Sequence, residues 1–122
     1  MILYDQQVYK ALDNIIWHVN VVQGYPKEWN DFPIISYINE TNNTAVKCDG
    51  EEYITYLVYT VHFFYTNETA DDRYIPQIDK AMTSIGFKRD NMQMLYEGEG
   101  IHVVFRYSMY ASKDGFAYDT IY

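Results

Sequence analysis

The side chains able to do chemistry are few and scattered along the chain. Cys48 is the single cysteine, so neither an internal disulfide nor a cysteine-rich zinc site can form. It sits in a polar stretch with no histidine near it in sequence. Ser36, Ser84, Ser108 and Ser112 lie in no Gly-x-Ser-x-Gly elbow. A nucleophile needs an adjacent base and a group to orient that base, and no such trio is spelled out here. His18, His62 and His102 are far apart, and none has a ligand partner at the short spacings of a metal site. His62 and His102 can meet only if their segments pair as neighbouring strands, where half-buried histidines are the plainer reading. Asp71 and Asp72 suit a helix start, where carboxylates favour the positive end of the dipole. Glu51, Glu52, Glu97 and Glu99 suit solvated strand ends. A metal-assisted nuclease would need such carboxylates to converge.

Phosphate chemistry fares no better. Gly98-Glu99-Gly100 places an acid where an anion would have to sit. Lys88-Arg89 is the only basic pair, and it follows a predicted helix C-terminus, where cations are stabilised. Nine Lys and Arg against 17 Asp and Glu leave a net charge of −8 over 122 residues. That balance excludes a nucleic-acid face built on clustered cations, and it argues against an anionic lipid surface. No apolar run approaches the ~20 residues of a membrane helix. The start, Met1 to Gln6, lacks a basic signal-peptide pattern, so a reducing cytoplasm, or something assembled there, is the expected setting. The three Asn-x-Thr triplets at Asn39, Asn42 and Asn67 then read as chance.

The elements that must position these residues follow from periodicity. Tyr4, Val8, Leu12, Ile15 or Ile16 and Val19 make one helical stripe, with the helix expected to run to Trp17 or His18. Asp5 is placed to cap it, with Tyr4 and Tyr9 as a staple. Val19 to Gly24 reads as a short strand, and Tyr25 to Pro33 as a proline-punctuated loop. Ile34 to Glu40 reads as a strand. Thr41 to Gly50, rich in Asn and Thr and ending in Asp-Gly, reads as a long flexible hairpin connection.

Glu51 to Thr66 is the longest strand candidate. Tyr53, Leu57, Tyr59, Val61, Phe63 and Tyr65 share one face; Ile54, Tyr56, Val58, His62 and Phe64 share the other. A strand apolar on both faces must be covered on both, and a neighbouring subunit is one source of cover. Thr69 with Asp72 resembles a capping box for a second helix. That helix would bury Ile75, Ile78, Met82 and Ile85. Pro76 either kinks its first turns or marks a later start. Gly86 and Phe87 fit a Schellman ending. Met92 to Glu97 and Ile101 to Ala111 read as two final strands. Asp114-Gly115 reads as a turn into a Tyr-rich tail that adds an edge strand or docks on a partner.

The order implies an α+β fold: an antiparallel or mixed β-sheet flanked by two α-helices in a single domain over residues 1–111, with a C-terminal tail over 112–122. The 14 tyrosines, against six Phe and two Trp, suit both pleated strands and interfaces. No reaction centre, cofactor or metal is expected; an assembly protein that meets copies of itself is.

Several segments carry a resemblance. Val8-Tyr9-Lys10-Ala11-Leu12, Phe32-Pro33-Ile34-Ile35-Ser36-Tyr37 and Asp49-Gly50-Glu51-Glu52 come in order, then Ile75-Pro76-Gln77-Ile78-Asp79-Lys80-Ala81-Met82 with Gly86-Phe87-Lys88-Arg89. A strand ending Phe105-Arg106-Tyr107 follows. Over residues 4–110 the chain resembles the small tail terminator or tail completion proteins of long-tailed bacteriophages and prophages. The tail after Ala111 has no counterpart in the resemblance. The resemblance implies a tail-terminator-like fold, a sheet flanked by two helices. It also implies a homo-oligomeric ring, commonly a hexamer, at the head-proximal end of the tail tube. Its partners would be the tail tube protein and a neck or head-completion protein, and its place the tail–neck junction of the virion. DNA would pass through the lumen without specific binding, repelled by carboxylates. On this reading Asn42, Asn43, Lys47, Asp49, Tyr53, Tyr56, Tyr59 and Tyr65 are the expected subunit or tube contacts. The alternatives are another neck protein (a head-closure stopper or connector adaptor), or a small acidic enzyme or host-takeover binding protein.

Overall fold

Alternating apolar side chains along four long segments build a sheet, and two amphipathic helices close over one of its faces. The computed structural model describes residues 1–15, 19–29, 32–66, 73–97 and 100–118. The elements are α1 (Asp5–Asp13), β1 (Asn20–Gln23), β2 (Ile34–Cys48), β3 (Glu51–Thr66), α2 (Tyr74–Ser84), β4 (Lys88–Glu97), β5 (Gly100–Ser112) and β6 (Ala117–Tyr118). The sheet runs β1-β2-β3-β5-β4, and β6 also pairs with β5. Among the described residues only β1 and β2 pair in parallel; the other pairs are antiparallel. This is the expected α+β architecture with a mixed sheet.

The core lies between the helices and one face of the sheet. Val8 and Leu12 from the first helix, Ile15 just beyond its end, and Ile78 and Met82 from the second helix pack on Ile35, Leu57, Val61, Phe63, Val103 and Phe105. Each such burial contributes roughly 1.5–3 kcal/mol. The second helix ends as its sequence predicts. Phe87 N–H donates to the Met82 carbonyl and Gly86 N–H to that of Thr83, 3.3 and 3.1 Å, with Gly86 at φ 104°. That is the Schellman pattern, and it carries Phe87 into the core. Pro76 is the third helical residue, where no N–H is needed, so it neither kinks the helix nor delays its start. The expected capping box at Thr69 and Asp72 lies outside the described residues.

Three expectations are corrected. The Thr41–Gly50 segment is not a flexible connection: β2 continues to Cys48, and only Asp49 and Gly50 turn the chain. Both have positive φ, 52° and 79°, the backbone of a two-residue type I′ hairpin, which Asp-Gly favours. Pairing with β3 outweighs the poor strand propensity of Asn. Cys48 therefore ends a strand, where it is exposed. The first helix ends at Asp13, short of Trp17, and its cap position is Tyr4 with no side-chain cap bond. The tyrosines expected as a staple separate: Tyr4 meets Phe87 edge-on, and Tyr9 lies against Tyr37.

Candidate functional site

Both faces of β3 are buried over much of its length, by different means. On the helix face, two tyrosines anchor the helices. Tyr59 donates to Asp5 Oδ1 at 2.5 Å and Tyr107 to Asp79 Oδ1 at 3.0 Å. Burial first, and then the neighbouring carboxylate, push both phenols well above the usual tyrosine range. Asp5 thus serves as a tether to the sheet and not as a cap. Arg89 stands 3.3 Å from Asp79 and completes the second tether.

On the opposite face, the segment after β1 supplies the cover. Tyr25 packs against His62 and Trp29 sits edge-on to Phe64, with ring centroids 5.3 and 4.8 Å apart. His62 and His102 do meet across strands, with Nδ1 and Nε2 2.7 Å apart, and Phe64 stacks on both rings. Desolvation, with His102 second, lowers the His62 pKa to about 4. His62 Nε2 and the Ser36 Oγ of its cross-strand neighbour are buried without a hydrogen-bond partner. His62 is therefore neutral at pH 7, and the surroundings of the pair are aromatic. Among the described residues no group of three or more His, Cys, Asp or Glu converges to hold a metal ion.

Beyond this cluster the same face is partly open, with Val58 and Ser108 buried and Arg106 exposed. Tyr56 and Tyr110, cross-strand neighbours with rings 4.9 Å apart, are half-buried there. Arg106, four residues before Tyr110 on the same face of β5, stands exposed and reaches Asp90 at 3.1 Å. A depression of about 550 Å³ lies between the helices on the far side of the molecule. Among the described residues that line it, Lys10 and Lys80 are the charged ones, and no acid–base pair is formed by them.

The expected contact residues divide into two groups. Asn43, Lys47 and Asp49 are exposed on the distal β2–β3 hairpin. Asn42 is half-buried, its side-chain N–H donating to the Ile2 carbonyl at 2.8 Å. Tyr53, also half-buried, donates to Asp114 of the turn before β6. Tyr56 lies on the open face. Tyr59 and Tyr65 are 0% and 2% exposed and have no surface to offer a partner. Their alternation with apolar neighbours is equally the pattern of a core strand, so type and spacing could not separate them from Tyr53 and Tyr56. Tyr110 belongs with the surface group. Its cross-strand register to Tyr56 needed the β3–β5 pairing, which the sequence does not spell out.

No protein-family model matches the chain, and no curated protein matches its sequence. Among the described residues, no helix is long and apolar enough to cross a membrane.

Proposed function

We propose that this chain is a structural virion protein that forms a ring at the head-proximal end of a phage tail tube, ending tube polymerisation and joining tail to neck. One observation carries the reading. The fold that the resemblance implies, a sheet flanked by two helices, is the architecture of this chain, with both helices on one face. In such a ring, commonly a hexamer, copies meet through unlike surfaces. The distal hairpin, with Asn43, Lys47, Asp49 and Tyr53, is the element that reaches a neighbour or the tube. Asn42 acts there by holding the N-terminal segment against the hairpin. The net charge of −8 gives DNA no cationic track to adhere to as it passes the lumen.

The direct test is to add the purified chain to tail tubes of the same virus and image them. The reading expects a ring on one end of each tube and an end to further growth. Tubes that keep growing with bare ends would overturn it.

A further inference from the structure

We propose that the outer edge of β4 pairs with the same edge of a second copy of this chain, giving a two-fold dimer whose sheets run on as one. Among the described residues β4 is the last strand of the sheet and bonds to β5 on one side only, so its outer N–H and C=O groups face outward as a template for another strand. Its side chains are unusual for an edge. Met92, Met94, Leu95 and Tyr96 are 37%, 36%, 40% and 74% exposed. The run Asn91 to Tyr96 contains no charge, no proline and no glycine. Its one irregularity, between Arg89 and Asn91, precedes that run and leaves it in regular register with β5.

The other long edge is guarded. β1 covers β2 only from Ile34 to Tyr37. The rest of β2 carries three register shifts, exposed Lys47 and a run of Asn and Thr. Bulges and lysine are the usual devices against edge pairing. Joining β4 to a neighbour's β2 in full overlap would also set Glu40 near Glu97 and Lys47 near Lys88 and Arg89, opposing like charges. Pairing β4 with itself does the reverse. Antiparallel self-pairing brings the Lys88–Arg89–Asp90 end of one strand, net +1, to the Glu97 end of the other. A two-fold axis through the strand pair keeps each face of the sheet on its own side. The row Met92, Met94 and Tyr96, on the face shared with their partners Phe105, Val103 and Ile101, therefore meets its own copy. Unlike-surface ring contacts and this like-strand contact are separate, so the inference stands or falls without the ring reading.

Sedimentation of the full chain in a Cys48→Ser background tests it. The expected result is a dimer at about 10 μM that Met94→Lys weakens on the order of 100-fold, with the thermal midpoint of the fold unchanged. Thr44→Lys on the β2 edge should leave the dimer intact. Should Met94→Lys impair folding, Met94→Cys with a short bis-maleimide supplies the second readout, and a covalent dimer is expected. A chain that is monomeric at about 100 μM, a dimer indifferent to Met94→Lys, or cross-linking no better from Met94→Cys than from Thr44→Cys overturns the proposal.

Discussion

The two faces of the sheet share the same strands and are held by different chemistry. The helix face is a continuous apolar layer, and two of its deep phenols, Tyr59 and Tyr107, are each paired with an aspartate on a helix. The opposite face is closed at one end by rings stacked around two histidines and is partly open at the other, around Tyr56, Tyr110 and Arg106. Among the described residues the helix face leaves no buried side-chain polar atom without a partner. The other leaves tyrosines half-covered and a histidine nitrogen without a partner. Stability is concentrated on the first, and surfaces for a neighbour are left on the second and at the sheet edges.

Core truncation separates the faces most sharply. Ile78→Ala, at a fully buried site, should cost about 3 kcal/mol in urea unfolding, whereas Val104→Ala on the open face should cost under ~1 kcal/mol. Equal losses would break the contrast.

Acid comes next. His62 has a folded-state pKa of about 4 against its usual 6.5. The unfolded chain therefore binds the proton more readily, and stability present above pH 6.5 is lost as pH falls towards 4. The loss at pH 5 should be about 2 kcal/mol relative to pH 7.5. His62→Phe should flatten that part of the curve. A variant with the same slope as the parent would show that the histidine face does not respond to acid.

Smaller still, Tyr59→Phe and Tyr107→Phe should each cost about 1 kcal/mol, since each removes one hydrogen bond from an aspartate that keeps a second partner in Gln23 or Arg89. Lys113→Ala, which breaks an exposed pair with Glu51, should leave the unfolding midpoint where it is.

Much of this architecture is legible in the residues, and the gaps have physical causes. The limits of β3 and the ending of α2 follow from local rules: alternation bounded by Asp-Gly, and glycine followed by an apolar residue. Both β3 faces announce themselves as apolar. What covers the second face does not, because Tyr25 and Trp29 sit in a loop with no period. The outer half of β2 is invisible to propensity, since Asn and Thr become a strand only by pairing with β3. Asp5 looks like a cap because its spacing fits one, yet a buried phenol 54 residues away in sequence claims it. The site residues divide for the same reason. Tyr53 shares its face with Tyr59 and Tyr65 but stands near the hairpin end of β3, and Tyr56 points to the opposite face beside Tyr110.

The function proposed for these surfaces is most directly tested by electron microscopy of particles assembled without this chain. The account predicts overlong tail tubes, detached from capsids. Tails of normal length joined to filled capsids would contradict it.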